Sequence, residues 1–157
     1  MSGAARTLRR LTLDEMERAA VILRRALDDR LPWLAGRYSP AEDRAFLRAH
    51  GFPVCEFWGA GGAEIDGFLA LRGDWVDQLH VLPAHQRQGI GDALLRHAQA
   101  LRPELWLWTF QRHPPARRFY ERRGFVPVEE TDGSRNEEGE PDALDRWQRA
   151  ADAPLPL

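Results

Sequence analysis

Hydrophobic and polar residues follow two different periods along this chain, and their order predicts a mixed α/β fold. Leu13–Leu27 and Gly89–Leu101 carry apolar residues at helical spacing on one face, which is typical of helices packed against a core. Glu104–Phe110 alternates instead, with its tryptophans on one side and its leucines on the other, which is the two-residue period of a strand. The chain therefore switches between helical and extended segments.

Capping and turn residues set the limits of the other predicted elements. Thr12 with Glu15, and Ser39 with Glu42, have the spacing of helix-initiating capping boxes. The first of these helices stops before Pro32 and the second runs to about His50. The remaining predicted elements are the strands Arg6–Leu11, Val54–Ala60, Ala63–Arg72, Asp74–Leu82, Phe125–Thr131 and Ala143–Trp147, and the helix Pro115–Arg123. The resulting order is βααβββαβαββ. We expect residues 1–157 to form one domain, with loose ends at 1–5 and 150–157.

Composition narrows the class of protein. The chain has 157 residues, 43% of them hydrophobic, and a net charge of −2, which excludes a disordered protein and gives no basis for nucleic-acid or anionic-membrane binding. All 22 basic residues are arginine, so lysine Schiff-base chemistry is excluded. No stretch approaches the roughly 20 apolar residues of a membrane span. We expect a cytoplasmic protein without a bound metal.

The single cysteine, Cys55, lies in the apolar run Val54–Trp58. One cysteine cannot form an intramolecular disulfide, which favours a reducing compartment. The apolar neighbours predict that Cys55 packs in the core and is not a nucleophile.

The sequence Gln86-Arg87-Gln88-Gly89-Ile90-Gly91 lies between a predicted strand and a predicted helix. A helix N-terminus offers unpaired N–H groups and a partial positive charge, and glycines allow a phosphate to approach the backbone. The dinucleotide-binding fingerprint requires a small residue where this chain has Leu94, and a P-loop requires a lysine. An ordinary strand-to-helix turn remains an alternative to an anion site.

Two motifs resemble the GNAT N-acetyltransferase superfamily. The first is the Gln-x-x-Gly-x-Gly loop after the strand Leu79–Pro83, which is similar to the acetyl-CoA motif of that family. The second is Pro114–Phe125, which resembles the family's helix with a tyrosine and a closing Gly-Phe. The resemblance implies an α/β fold with a mixed, mostly antiparallel sheet, flanked by about four helices, in which the fourth and fifth strands splay apart.

The resemblance also implies how acetyl-CoA would bind as co-substrate. The backbone groups predicted to bind the pantetheine arm are those of Leu79, His80 and Val81. The residues predicted to surround the pyrophosphate are Arg87, Gln88, Gly89, Ile90, Gly91 and Asp92. Asp92 is an unusual neighbour for a phosphate, and we expect its carboxylate to point away. His113 stands where the family often has an asparagine, and it either binds the cofactor arm or is a loop residue.

Tyr120 matches the family's usual general acid, which protonates the leaving thiolate; the alternative is a packing role beside Phe119. The general base is less clear. Asp77 is our candidate, acting directly or through water, and its alternatives are a solvated strand residue or an ion-pair partner. His80 lies on the opposite face of the same strand and is equally well explained as a core histidine.

The resemblance predicts transfer of an acetyl group to a primary amine of a small molecule or peptide, by direct attack in a ternary complex. The acceptor would be bordered by Asp28–Leu34 and by Asp132–Glu140, both rich in acid, with Trp33 and Tyr38 nearby. Solvated loops are the alternative for both segments. A homodimer is compatible with this prediction. Two other functions stay open: a non-catalytic acyl-CoA sensor and a nucleotide-binding α/β enzyme.

Overall fold

The computed structural model describes residues 7–150 and has the predicted order of elements. The strands are β1 (Thr7–Arg10), β2 (Glu56–Gly61), β3 (Ile65–Arg72), β4 (Trp75–Val81), β5 (Glu104–Phe110), β6 (Val126–Glu130) and β7 (Asp142–Gln148). The helices are α1 (Met16–Arg30), α2 (Pro40–Phe46), α3 (Ile90–Leu101) and α4 (Pro114–Glu121). The predicted loose ends, apart from Ala150, lie outside the described residues. None of the described helices has the length and apolar character that a bilayer span requires.

The strands form a mixed sheet in the order β1-β2-β3-β4-β5-β7-β6. The β4–β5 pair is parallel and has a single register pair, Trp75 with Trp106, supported by a 2.9 Å bond from Trp106 N to Asp74 O. The three residues Leu79–Val81 lie beyond this pair on β4. The predicted splay of the fourth and fifth strands is therefore confirmed, as is the fold class.

Packing groups the described chain into two compact units. The first takes the chain up to Gly73 together with Asp77–His97, and the second takes Asp74–Val76 and the chain from Ala98 onwards. This division describes how densely parts of the chain contact each other and does not determine the number of domains. The assignment of residues 1–157 to one domain therefore stays a prediction.

The first unit has a core between β2–β3 and α1. The predicted apolar face of α1 supplies Met16, Ala20 and Leu23 to this core, all of them buried, whereas Leu13 precedes the helix and is 38% exposed. Phe57 and Phe68 stack on each other from the two strands, with ring centroids 5.8 Å apart. The helical period therefore identified the correct face, apart from its first residue.

An ion pair ties α1 to α2 inside the first unit. Asp43, which is 6% exposed, accepts from Arg24 Nε at 2.7 Å and from Arg24 Nη2 at 2.9 Å. The capping box at Ser39 and Glu42 starts α2 as predicted, with Glu42 N donating to Ser39 Oγ at 3.1 Å. The α-helix ends at Phe46, earlier than predicted, because residues 47–51 form a π-helical turn in which Phe52 N donates to Leu47 O.

The second unit consists mainly of β5, β7 and β6, with α4 between β5 and β6 in the chain. β5 pairs with β7 along its full length, from Glu104–Gln148 to Phe110–Asp142. The β6–β7 register jumps between Pro127 and Glu129, so Val128 is an extra residue that forms a β-bulge. This bulge determines which side chains of β6 face which side of the sheet.

Candidate active site

The segment between β4 and α3 has the backbone of an anion-binding turn. Arg87 and Gly89 both have left-handed conformations, with φ of 65° and 85°. Such residues curl the chain so that successive N–H groups point into one concavity. The first helical hydrogen bond of α3 runs from Ala93 N to Gly89 O at 3.0 Å, so the amides of Ile90 and Gly91 precede the helical ladder.

The space beside Gly89 is open. A Cβ atom built on Gly89 would have no protein atom within 4 Å, so the concavity is not filled by the chain itself. Asp92 forms an ion pair with Arg96 one helical turn later, at 3.1 Å, which engages its carboxylate along the helix. This arrangement fits a pyrophosphate against the loop, and it agrees with the expectation that Asp92 does not face the phosphate.

Asp77 is held by an arginine from the neighbouring strand. Its two carboxylate oxygens accept from Arg72 Nε at 2.7 Å and from Arg72 Nη2 at 3.1 Å. Cys55 Sγ lies 3.6 Å from Asp77 Oδ2, and burial, with Asp77 adding to it, raises the pKa of the thiol to about 11. Cys55 is thus a protonated thiol packed against the core, in line with its predicted structural role. Asp77 has the ion-pair partner that one alternative envisaged, and its role as base stays a prediction.

His80 is a core histidine on the buried side of β4. Its ring is 6% exposed, lies 5.6 Å from that of Phe68, and has its Nε2 atom 2.7 Å from Gln78 Oε1. Because the amide oxygen can only accept, Nε2 carries the proton and donates. Burial lowers the pKa of His80 well below its usual 6.5, and Arg30 and Arg24 act in the same direction. The imidazole is therefore neutral, and only the backbone of His80 remains a candidate for cofactor contact.

This burial predicts that the protein loses stability on acidification. The unfolded chain binds a proton at His80 below about pH 6.5 and the folded chain does not, so the contribution is complete above that pH and declines below it. Replacing His80 with Phe should make the free energy of unfolding fall less steeply on acidification below pH 6.5, because phenylalanine binds no proton in either state. Urea melts between pH 7.5 and 5 measure the slope. An exposed histidine changed in the same way, His50→Phe, is the control and should keep the wild-type slope.

The other predicted backbone ligands lie at the C-terminal end of β4. Leu79 and Val81 are half-buried, on the side of the strand opposite His80. The carbonyl of Val81 accepts from Gln86 Nε2 at 3.2 Å, so the first residue of the loop motif is bonded back to the strand. This bond fixes the start of the anion-binding turn relative to β4.

Tyr120 is fixed by aromatic neighbours near the end of α4. Its ring meets those of Phe119 and Phe125 edge-on, with centroid distances of 5.2 Å and 5.5 Å. The helix closes with a bond from Phe125 N to Tyr120 O at 3.1 Å, and Gly124 takes the left-handed conformation at φ 93°. A Cβ at Gly124 would lie 2.9 Å from Trp147 Cδ1, so glycine is required there. Tyr120 is thus part of a rigid helix end.

His113 occupies the position that precedes α4. Its carbonyl accepts from Ala116 N at 3.1 Å and from Arg117 N at 3.3 Å, which makes it the N-cap residue of the helix. Its backbone therefore has a structural role, and the predicted contact of its side chain with the cofactor arm stays a prediction.

The first predicted acceptor segment is largely engaged within the chain. Asp28 pairs with Arg24 at 3.1 Å, and the ring of Tyr38 has the guanidinium groups of Arg24 and Arg37 each at 5.8 Å from its centroid. Trp33 is 46% exposed. Asp28 and Tyr38 already have cationic partners, so this segment is a weaker candidate for binding an amine than the sequence indicated.

The second predicted segment borders an open cavity of about 420 Å³ in the second unit. Residues of β5 and polar residues of β6, β7 and the connection between them line it: Trp108, Thr109, Phe110, Glu129, Thr131, Arg135, Asn136, Glu138 and Asp142. Trp108 is 47% exposed, so its ring presents an apolar surface to the cavity. The sequence pointed to residues 132–140 but missed Glu129 and Asp142.

A hydrogen-bond network closes the β6–β7 connection around this cavity. Asn136 Nδ2 donates to Glu140 O at 2.6 Å and to Asp142 Oδ2 at 3.0 Å, while Asn136 Oδ1 accepts from Glu140 N at 3.1 Å. Thr131 donates to the other oxygen of Asp142. Gln111 Nε2 donates to the carbonyls of Thr131 and Asp142. The cavity is therefore preformed by the chain.

Three comparisons with known proteins agree with these features. A family model described as an acetyltransferase (GNAT) domain matches residues 50–127. The peptidyl-lysine N-acetyltransferase YjaB of Salmonella typhimurium is 30% identical over 120 residues, which cover 75% of this chain and 81% of that protein. The solution structure of apo-form YjaB from Escherichia coli has a TM-score of 0.77 at 24% identity and covers 94% of this chain and 100% of that one.

A fourth similarity concerns the co-substrate. The PaiA N-acetyltransferase of Thermoplasma acidophilum, whose crystal structure is a complex with coenzyme A, has a TM-score of 0.69 at 20% identity and covers 92% of this chain and 99% of that one. The anion-binding turn at Gly89 fits the same class of ligand. Taken with the YjaB similarity, these findings show that this chain belongs to the GNAT superfamily and is an N-acetyltransferase that uses acetyl-CoA.

Proposed function

We propose that this enzyme acetylates the side-chain amine of a lysine in a peptide or protein. The observation that carries the proposal is the cavity of the second unit, where Trp108 and Phe110 lie beside carboxylates. Aromatic walls suit the alkyl stem of a lysine, and acid suits a cationic peptide. The YjaB relative is a peptidyl-lysine N-acetyltransferase, which supports the same acceptor class.

The reaction we propose is direct attack within a ternary complex. The neutral amine nitrogen attacks the thioester carbonyl carbon, which forms the C–N bond and a tetrahedral intermediate. Collapse of that intermediate breaks the C–S bond, and the electron pair leaves with sulfur. Tyr120 then gives its phenolic proton to the thiolate, so that the products are an N-acetyl-lysine and the free thiol of coenzyme A. The amine's surplus proton returns the phenol to its neutral form, either directly or through water.

The rigid setting of Tyr120 supports this role. Its ring is held between Phe119 and Phe125 on a helix end that Gly124 closes, so the phenol has little freedom to move away from its position. Fixed donors are effective acids because no reorganisation is needed at the moment of reaction. Asp77 remains our candidate for accepting the ammonium proton, directly or through water, and the two bonds from Arg72 fix the position of its carboxylate.

Release of free thiol from acetyl-CoA tests the proposal. We expect peptides with an internal lysine to give turnover, with the acetyl group located on the lysine side chain by mass spectrometry. Matched peptides in which arginine replaces the lysine should give none. The proposal of a peptide acceptor fails if these peptides are inert while a small-molecule amine or a peptide α-amine is acetylated instead.

A further inference from the structure

The cavity of the second unit contains more negative charge than binding one lysine requires. Its lining includes the carboxylates of Glu129, Glu138 and Asp142 against the single guanidinium of Arg135. Asp142 is internally satisfied by Asn136 and Thr131. Glu129 and Glu138, by contrast, have no ion pair with any residue in the described part of the chain.

The β-bulge at Val128 is what turns Glu129 toward the cavity. Glu129 is directly opposite Leu144 on β7, and Leu144 is opposite Trp108 on β5. Residues directly opposite each other in antiparallel strands share a face of the sheet, so Glu129 lies on the same face as Trp108. Val126 lies on this same face. It is opposite Arg146, whose guanidinium lies over the ring of Trp106, and Trp106 shares its face of β5 with Trp108.

Without the bulge the next glutamate would take this place. Regular alternation from Val126 would direct Val128 and Glu130 to the cavity face. The extra residue reverses the order, and Glu130 instead faces the other side, where it pairs with Arg117 of α4 at 3.1 Å. The two consecutive glutamates therefore face opposite sides of the sheet. Glu130 forms an ion pair with α4, and Glu129 lines the cavity.

A carboxylate without a partner suits a group that remains charged throughout the reaction. The reacting amine must be neutral when it attacks, and a nearby carboxylate favours its charged, unreactive form. A second cation on the acceptor has no such constraint, and it gains from both the carboxylates and the exposed face of Trp108.

We propose that Glu129 and Glu138 form a specificity site for a second cationic side chain, so that the enzyme prefers lysines with an arginine or lysine next to them. This inference rests on the proposed peptide acceptor and narrows it to basic sequences. Glu129 and Glu138 are specificity determinants that contact the acceptor and take no part in the transfer of the acetyl group.

A matched set of peptides tests this inference. Each peptide carries one lysine whose neighbour is arginine, glutamine or glutamate, and kcat/KM is measured by thiol release at saturating acetyl-CoA. We expect the arginine peptide to be favoured over the glutamine peptide by about tenfold, as exposed ion pairs at two carboxylates allow, with the difference in KM. High salt should reduce the preference.

Variants separate charge recognition from folding. The double change Glu129→Gln with Glu138→Gln should abolish the preference by weakening only the arginine peptide, and Glu138→Arg should shift it toward the glutamate peptide. Glu137→Gln removes a neighbouring exposed carboxylate that does not line the cavity and should keep the wild-type pattern.

Three results would overturn the inference. One is equal activity on all three peptides, which leaves the peptide acceptor intact. Another is an equal loss on all peptides in the double variant, which would make the two glutamates structural or catalytic. The third is turnover only with non-peptide amines, which would remove the proposed acceptor as well.

Discussion

Replacing Tyr120 with phenylalanine is expected to lower kcat by about 10²–10⁴-fold while acetyl-CoA affinity stays the same. The phenylalanine ring keeps the edge-on contacts with Phe119 and Phe125, so the change removes only the hydroxyl. Protonation of the leaving thiolate matters mainly in the transition state, so its loss appears in kcat and not in ground-state binding. Stopped assays of thiol release with a lysine peptide, alongside calorimetry with acetyl-CoA, measure the two quantities.

The pH profile gives this experiment its control. If Tyr120 is the acid, wild-type kcat falls at high pH as the phenol ionises, and the variant lacks that limb. Full activity in the variant would make Tyr120 a packing residue. A variant that melts far below the wild type or no longer binds acetyl-CoA would show that the hydroxyl is structural, and the acid would have to be sought elsewhere, with His113 as the next candidate.

The second large effect is expected from Gly89→Val, which should weaken acetyl-CoA binding at least tenfold, equivalent to about 1.4 kcal/mol. A branched side chain would enter the open space beside the backbone, where the pyrophosphate is predicted to lie. It would also strain a residue whose φ is 85°. Calorimetric titration with acetyl-CoA gives the affinity, and circular dichroism verifies the fold.

A glycine elsewhere in the chain provides a control variant for the effect of backbone strain alone. Gly73, in the turn between β3 and β4, also has a positive φ of 59° and open space beside it. Gly73→Val imposes a comparable strain away from the loop and should leave the affinity for acetyl-CoA unchanged. Equal losses in the two variants would mean that Gly89 acts through stability and not through contact with the ligand.

The parts of this molecule that are encoded locally could be predicted from sequence. The capping boxes at Thr12 and Ser39 start helical segments as predicted, and the alternation in Glu104–Phe110 gives a strand with the predicted bounds. The Gly89 turn was recognisable for the same reason, because its glycines and its place before a helix are close together in the chain. Each of these features is determined by residues within a few positions of one another, which is why the sequence was sufficient to predict it.

Features that depend on distant partners could not be predicted in this way. Arg72 and Asp77 are only five residues apart, but no pattern in the sequence shows that Arg72 engages both oxygens of Asp77, since that contact depends on how the turn between β3 and β4 orients the two side chains. The early end of α2 follows from the π-helical turn at residues 47–51, which brings Gly51 against Phe57, and a Cβ there would lie 3.2 Å from that ring. The cavity residues Glu129 and Asp142 lie outside the loop that the sequence indicated.

The extra residue in β6 bears on how this specificity could change during evolution. If Val128 entered the regular pairing of β6 with β7, the faces of Glu129 and Glu130 would be exchanged, although every residue of the strand would be retained. The carboxylate facing the cavity would then come from the glutamate that now holds Arg117. A shift of one residue in the pairing of β6 with β7 would thus change which carboxylate faces the proposed acceptor site, with no substitution at all. Column-by-column alignment of relatives would not record such a shift, so acceptor preferences are better compared by which face each side chain takes.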